Sequence, residues 1–253
     1  MSTTTYLQLC QLTQRACGIS GNPIVSVDNQ KGMLQNLTTW VADADIAVQR
    51  EAINWDFLYK TDFFVNTVQG SSEYQQPSDL GDWDRSTFYL DRTTNNNLRL
   101  TEMAYRRWFN YESVGVQQEN QPCNFILPPS KNPIVHPVPD SVYRLTANYW
   151  RTPLRMVAND DTSLIPETYI RVIIARAKMY YGIDQEADEV YAEAVTEYNN
   201  VLSELKSNQL PGWEGYRVSD NVQITVSTDG YTGGAYGDGG YPGFDSYDDN
   251  SGW

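Results

Sequence analysis

The sequence predicts an α+β fold, in which N- and C-terminal helices form a helical bundle, an antiparallel β-rich module is inserted between them, and an extended tail follows. Near both ends of the chain apolar residues recur at the helical spacings of three and four, whereas between them short β-branched and aromatic runs alternate with turn formers. We therefore expect a helical bundle domain at 1–61 and 154–210, an inserted β-rich domain at 62–153, and an extended arm rich in glycine, aromatic residues and aspartate at 211–253.

Two helices are predicted in the first 57 residues. Residues 3–5 are all threonine and can cap the first helix, and Gly18 stands where that helix would end. A second helix is predicted by an apolar stripe that consists of Leu34, Leu37, Val41, Ala44 and Val48. We expect this second helix to continue to Trp55 or Phe57.

The β-rich domain is indicated most clearly by residues 142–150, VYRLTANYW. One face of this strand would carry Tyr143, Leu145, Ala147 and Tyr149, and the other Arg144, Thr146 and Asn148. Residues 102–111 predict a short helix within the domain. Seven of the 12 prolines fall between Pro122 and Pro153, which favours short strands. We expect one half-buried antiparallel sheet or a small sandwich.

A pair of helices is predicted after residue 165. Pro166 suits the first turn, and Gly182 marks the expected end of the first of these helices, whose apolar face contains Ile170, Ile173, Ile174, Ala177 and Tyr181. The apolar seam of the second helix consists of Ala187, Tyr191, Ala194, Tyr198, Val201 and Leu205. Because the link is short, we expect an antiparallel hairpin packed within the same subunit. A coiled-coil seam between subunits is the alternative.

The composition argues against several classes of protein. The chain has 253 residues, 40% of them hydrophobic, which is enough to bury a core. It contains no run of about 18 apolar residues and no recognisable secretory signal, so we expect no association with a membrane. With 32 acidic and 18 basic residues, the net charge is −14 at pH 7. This acidity argues against a protein that grips nucleic acid by neutralising phosphates.

Patterns that carry catalysis or metal binding are sparse. His136, the single histidine, lies between prolines, where a loop or core role is more typical than a catalytic triad. Cys10, Cys17 and Cys123 form no zinc spacing, and we expect them to be small buried hydrophobic residues. A glycosidase would need two converging carboxylates, for which the candidates are Asp82, Asp84, Asp160 and Asp161. Turn roles are more typical of these aspartates, so we expect no catalytic site, metal or cofactor.

Two groups of residues are candidate partner interfaces. Arginines concentrate in the most basic stretch of this acidic chain, as Arg85, Arg92, Arg99, Arg106 and Arg107. Because the overall negative charge would repel a polyanion, an acidic surface of a neighbouring subunit is their favoured partner. The arm, which has six Asp and no Lys or Arg from residue 218 onward, carries the aromatic anchors Tyr231, Tyr236, Tyr241, Phe244, Tyr247 and Trp253. A disordered solubilising tail is the alternative for the arm.

Several segments, taken in order, carry a family resemblance. YLQLCQLTQRACGI and a helix ending in AINWDFLYK resemble a first pair of helices, and NTVQGSSEYQQPSDLGDW resembles a first hairpin. PCNFILPPSKNPIVHPVPDSVYRLTANYWRTPLRM resembles a segment in which a Tyr-rich strand leads to Arg-x-Pro, and IPETYIRVIIARAKMYYGI resembles a returning helix. Together these segments cover residues 4–207 and resemble the bacteriophage head-to-tail adaptor (head-tail connector) family. The chain beyond Pro211 departs from that pattern.

The resemblance implies a structural virion protein without enzymatic activity, present in the tail or neck and, during assembly, in the host cytoplasm. Members of the family form twelve-subunit rings that bind the portal protein and the tail nozzle or tube, often seat tail fibres, and let double-stranded DNA pass through the lumen. The alternative is a carbohydrate-binding or adhesion module of a tail, which 7 Trp and 18 Tyr favour. That alternative requires Trp83, Trp108 and Trp150 to lie together on an open surface.

Overall fold

A computed structural model describes residues 3–91, 98–112 and 118–210 of the chain. The helices are α1 (Tyr6–Ala16), α2 (Met33–Gln49), α3 (Tyr105–Arg107), α4 (Arg171–Asp184) and α5 (Asp188–Gln209). The strands are β1 (Tyr59–Asn66), β2 (Leu80–Asp91), β3 (Leu98–Arg99), β4 (Thr101–Glu102), β5 (Asn124–Ile126), β6 (Ile134–His136) and β7 (Arg144–Arg151). The predicted α+β class is confirmed, and the predicted arm at 211–253 lies outside the described residues.

Helix α1 begins where the sequence predicts it. The Thr5 side chain accepts a hydrogen bond from the backbone N–H of Gln8, and the Gln8 side chain accepts one from the backbone N–H of Thr5, which is a capping box. After the helix, Gly18 has a φ of 64°, a left-handed conformation that glycine adopts without steric cost. The predicted start and end of α1 are therefore confirmed.

Helix α2 is shorter than the sequence predicts. It ends at Gln49, so the predicted continuation to Trp55 or Phe57 is wrong. The side chains of Trp55 and Leu58 are at most 1% exposed and belong to the core between the helices. The chain leaves the helix to bury these two side chains, and a short 3-10 turn then leads directly into β1.

Helices α1, α2, α4 and α5 share one hydrophobic core. Helix α2 contacts both α1 and α4, and α4 also contacts α5. Fully buried residues of this core include Leu9, Leu37, Val41, Val48, Ile173 and Leu205. Burying a side chain of this size contributes roughly 1.5–3 kcal/mol, so this core is a principal source of stability for the four helices.

Helices α4 and α5 run in opposite directions. Gly182 lies against Tyr191, and one turn earlier Lys178 forms an ion pair with Glu193, with 3.6 Å between Nζ and Oε1. The predicted helix end at Gly182 is wrong, because α4 continues to Asp184. A Cβ at position 182 would lie 3.0 Å from the Tyr191 backbone nitrogen, so this glycine permits a close approach of the two helices. Of the residues predicted to form the apolar seam of α5, Ala194, Tyr198 and Leu205 are buried within the chain.

The strands form two sheets. The four-stranded sheet has the order β1-β7-β2-β3 with antiparallel neighbours, and the three-stranded sheet has the order β4-β5-β6. Strands β4 and β5 are parallel, so the prediction of an antiparallel module is wrong at this pair. About twenty residues connect these two strands, which is long enough for the crossover that a parallel pair requires. The helix predicted at 102–111 instead occupies Tyr105–Glu112, because residues 101–102 form β4.

Strand β7 shows the predicted alternation. Leu145, Ala147 and Tyr149 are buried, whereas Arg144 is exposed. The strand pairs with β1 on one side and with β2 on the other, so it is central in its sheet. A strand flanked on both sides needs one apolar face toward a core, and the alternation provides that face.

Aromatic rings join the two sheets. The rings of Phe88 on β2 and Phe125 on β5 stack with their centroids 4.0 Å apart, and both residues are fully buried. The Trp83 ring lies 5.3 Å from that of Phe88 and 5.8 Å from that of Tyr149. The β-rich module therefore has an aromatic core of its own, distinct from the core between the helices.

Asp45 is a carboxylate buried within the helical core. It is fully buried and accepts hydrogen bonds from the Ser163 hydroxyl (2.5 Å) and the Gln49 side-chain amide (2.7 Å). Burial raises the pKa of Asp45 to about 6, against the lowering effect of the two hydrogen bonds. The three side chains tie α2 to the segment that precedes α4.

Candidate interaction surfaces

The structure separates the predicted arginines. Arg85 on β2 forms an ion pair with Glu102 on β4, with 2.8 Å between Nη1 and Oε1. Arg99 on β3 lines the same shallow depression as these two residues. Because Glu102 offsets the charge of Arg85, Arg99 gives the depression its net positive charge. Outside the described residues lie Arg92 and the predicted arm anchors Tyr231, Tyr236, Tyr241, Phe244, Tyr247 and Trp253.

Arg106 and Arg107 lie on the α3 turn, where both are exposed. The Tyr105 ring lies 6.0 Å from that of Trp108 and 5.9 Å from that of Phe109, which is 57% exposed. Arginine and aromatic residues together are enriched at protein–protein contacts. The α3 turn therefore presents both arginines beside aromatic rings, as a partner contact requires.

The three tryptophans on which the carbohydrate-binding alternative depends do not form an open platform. Trp83 is 2% exposed, and its Nε1–H donates a hydrogen bond to the Lys131 carbonyl at 2.8 Å. Trp150 is half-buried and packs against the core between the helices, with its ring 5.1 Å from that of Tyr59. Trp108 begins the π-helical turn Trp108–Glu112 that follows α3. Because Trp83 is buried in a core, the three tryptophans do not form an open aromatic surface. The carbohydrate-binding alternative therefore loses its support.

The candidate aspartates have contacts that are typical of turns and strand ends. Asp82 forms an ion pair with Lys131 at 3.5 Å, and Asp84 accepts a hydrogen bond from a tyrosine hydroxyl of β1. Asp161 accepts hydrogen bonds from two backbone N–H groups, which lower its pKa, and Asp160 is exposed. These partners account for Asp82, Asp84 and Asp161 without a catalytic role.

The cysteines differ in exposure. Cys10 is buried in the helical core and Cys17 is half-buried, but Cys123 is exposed, so the prediction that all three are buried is wrong for Cys123. Cys123 directly precedes β5, which begins at the following residue. The Cys123 backbone N–H donates to the carbonyl of His136, the last residue of β6. Within residues 3–91, 98–112 and 118–210, no group of three or more His, Cys, Asp or Glu could hold a metal ion.

A groove that no sequence pattern indicated lies where the end of α2 meets the start of β2 and the end of β7. The groove, called here the α2–β7 groove, encloses about 280 Å³ and is lined by the apolar residues Ile53, Leu58 and Pro153 and the cations Arg50, Lys131 and Arg151. These residues lie up to about 100 positions apart and meet only in the folded chain. The sequence signal nearest to it is Arg-x-Pro at 151–153, which lies at one edge.

The α2–β7 groove has an excess of positive charge in an otherwise acidic chain. The acidic residue Asp82 also lines the groove, but it is paired with Lys131, which donates a further hydrogen bond to the Gly81 carbonyl. Arg50 is exposed at the end of α2. The Nε atom of Arg151 is buried and has no hydrogen-bond partner among the described residues. Since buried donors are ordinarily paired, this guanidinium is a donor that an anionic group could satisfy.

Comparison with known proteins gives one family. Among the helices described, none is both long and apolar enough to cross a membrane. The family model described as SU10 adaptor protein matches residues 4–219, which include all the helices and strands named above. No curated protein matches the chain.

Proposed function

The chain belongs to the SU10 adaptor protein family, and on this premise we propose that it forms a ring between the portal and the tail of a tailed bacteriophage. The family match over residues 4–219 carries the proposal. It agrees with the head-to-tail adaptor resemblance of residues 4–207. The chain acts by contact and not by catalytic turnover, in the virion neck or tail and, during assembly, in the host cytoplasm.

The division of the chain follows the two hydrophobic cores. Residues 1–61 and 154–210 act as a helical bundle domain, residues 62–153 as an inserted β-rich domain, and residues 211–253 as an extended arm. One core gathers residues of α1, α2, α4 and α5, and the other gathers residues of the strands, which supports the first two domains. The composition of residues 211–253 supports the arm.

The ring has twelve copies, by family resemblance, and continues the DNA channel from the portal. Each copy carries a net charge of −14, which supports a channel through which DNA passes rather than a protein that grips DNA. A negatively charged wall repels phosphate groups, so double-stranded DNA slides past without being held. The tail nozzle or tube binds the far side of the ring.

Two surfaces of each copy contact partners. The first is the arginine stretch, of which the exposed Arg106 and Arg107 on the α3 turn are the best supported members. The second is the arm, whose aromatic side chains anchor it to a partner subunit. Arginines at the first surface meet acidic surface of a neighbouring subunit, since the chain itself is acidic.

Mass measurement of the purified chain, alone and mixed with the portal of the same phage, tests the proposal. We expect the portal ring to gain the mass of twelve chains, whether or not the isolated chain is monomeric. The double substitution Arg106→Glu and Arg107→Glu is expected to weaken this assembly, whereas the control pair Arg15→Glu and Lys31→Glu, at exposed positions, leaves it intact. A portal whose mass stays unchanged at every concentration of the chain would contradict the proposal.

A further inference from the structure

We propose that the α2–β7 groove binds the arm segment 244–249, FDSYDD, of a second copy of this chain. The inference rests on the proposed function, because it names the partner of the arm in the assembled ring. Three features of the groove and of the segment support it: a cation whose Nε has no hydrogen-bond partner among the described residues, an exposed apolar side chain, and complementary charge.

The cation is Arg151. Its buried Nε has no hydrogen-bond partner among the described residues, and it lines the groove together with the exposed Arg50. Lys131 is already paired with Asp82, so the two arginines supply the excess charge of the groove. Arg151 as a whole is half-buried. A guanidinium binds a carboxylate through two parallel N–H···O bonds, an arrangement that can include the Nε–H of Arg151. The groove therefore favours a ligand with carboxylates.

The apolar wall favours an aromatic residue beside those carboxylates. Ile53 is 67% exposed and Pro153 is half-buried, whereas Leu58 is already covered at 1% exposure, so Ile53 and Pro153 provide the accessible apolar surface. The cavity that they line encloses about 280 Å³, which is large enough to accept one aromatic ring. An exposed isoleucine at the mouth of a cationic groove gains free energy when an apolar group covers it. A ligand that alternates aromatic residues with carboxylates satisfies both parts of the groove.

The arm has this chemistry. From residue 218 to 253 it contains six Asp and no Lys or Arg, and the segment 244–249 combines Phe244 and Tyr247 with Asp245, Asp248 and Asp249. About 34 residues separate this segment from the end of α5, a contour length of roughly 110 Å, which is enough to reach an adjacent copy. Because a ring places identical copies side by side, the groove of the neighbour is the partner that is always present.

Photo-crosslinking in the full chain tests the assignment. Benzoylphenylalanine replaces Phe244, and unlabelled and ¹⁵N-labelled chains are mixed, alone at high concentration and with the portal. We expect crosslinks from position 244 to peptides that contain residues 50–58 or 151–153, in hybrid pairs of one labelled and one unlabelled chain. Crosslinks confined to single chains, crosslinks elsewhere, or no crosslinks at all would overturn the inference.

Binding of a synthetic peptide gives an independent readout. A fluorescent peptide of residues 238–253 is titrated with the full chain, and fluorescence anisotropy is measured. Arg151→Glu is expected to weaken binding by about tenfold or more, whereas the exposed control Arg15→Glu changes it less than about twofold. If Arg151→Glu unfolds the chain, the test instead compares two peptides on the unchanged chain. One has the natural sequence, and the other has Asp245, Asp248 and Asp249 changed to Asn and is expected to bind more weakly. Equal affinity of the two peptides contradicts the inference.

The two proposals fail separately. A chain that joins the portal but gives no hybrid crosslink contradicts the groove assignment alone. A chain whose arm crosslinks to a second copy but that never adds mass to the portal contradicts the proposed ring and retains the contact between copies.

Discussion

The side chain of Gln49 binds the backbone of Leu154 in both directions. Its Oε1 accepts a hydrogen bond from the Leu154 N–H at 3.0 Å, and its Nε2 donates to the Leu154 carbonyl at 3.2 Å as well as to Asp45 at 2.7 Å. The last residue of α2 is thereby fastened to the segment that leaves β7. This contact fixes the two sides of the α2–β7 groove relative to each other, while the Leu154 side chain remains 62% exposed.

Replacing Gln49 by leucine should destabilise the fold. Gln49→Leu leaves the N–H and carbonyl groups of Leu154 and the Asp45 carboxylate without this partner, and we expect a loss of about 2–4 kcal/mol in the free energy of unfolding. Urea denaturation followed by circular dichroism measures it. Gln35→Leu, at an exposed position of the same helix, is the control and should change stability by less than about 0.5 kcal/mol. Equal effects at the two positions would show that the Gln49 contacts contribute nothing.

Asp45 should make stability fall as the pH rises through its titration range. Its pKa in the folded chain is about 6, above the ordinary value of 3.8 for an aspartate, because burial opposes ionisation. The folded state therefore holds the proton more tightly, and this stabilisation is complete below pH 3.8 and is lost as the pH rises to about 6. The difference in unfolding free energy between the wild type and Asp45→Asn should follow this course. A difference in unfolding free energy that does not change with pH would contradict this prediction. Asp28→Asn, at an exposed position, is the control for a change in surface charge.

A side chain at Gly81 should disrupt the pairing of β2 with β7. A Cβ at this position would lie 2.8 Å from the Trp150 carbonyl oxygen, closer than packed atoms allow, and that oxygen belongs to the backbone of the adjacent strand. We expect Gly81→Ala to lower the unfolding free energy by about 1–3 kcal/mol. Thermal unfolding measures the change. Asp62→Ala, at an exposed position on β1, should stay within about 0.5 kcal/mol, and a neutral Gly81→Ala would show that the strands can separate without cost.

The stacked pair of Phe88 and Phe125 should couple the two sheets. Phe125→Ala empties a fully buried site and is expected to cost about 3–5 kcal/mol. A double-mutant cycle with Phe88→Leu and Phe125→Leu isolates the ring–ring contact, for which we expect a coupling of about 0.5–1.5 kcal/mol. Strictly additive effects of the two leucine substitutions would mean that the rings stabilise the core by their volume alone.

Features set by local sequence could be predicted, and features set by distant contacts could not. The threonine cap of α1 and the alternation along β7 depend on residues within a few positions of each other, and both predictions are confirmed. The end of α2 depends on the burial of Trp55 among other helices, and Gly182 serves a close approach to Tyr191 rather than a helix end. Neither requirement is visible before the helices are placed together.

The candidate interfaces divide in the same way. The arginine stretch could be located from composition, but the ion pair that offsets the Arg85 charge joins two strands and needed the fold. The α2–β7 groove was missed because Arg50, Lys131 and Arg151 belong to three separate segments. What distinguishes Arg151 is a buried Nε atom without a hydrogen-bond partner in the part of the chain that the structure describes, and no sequence pattern indicates such a property.

The placement of the helices at both ends of the described chain has a consequence for synthesis. Helices α1 and α2 leave the ribosome roughly 120 residues before α4 begins, an interval of several seconds at about 5–20 residues per second. Throughout that interval the apolar faces of α1 and α2 lack the helices that cover them in the finished fold. The strands that lie between α2 and α4 in the sequence are synthesised during the same interval. The nascent chain is therefore most exposed to aggregation or proteolysis in this window, and a ribosome that stalls before α5 releases a product that cannot close its helical core.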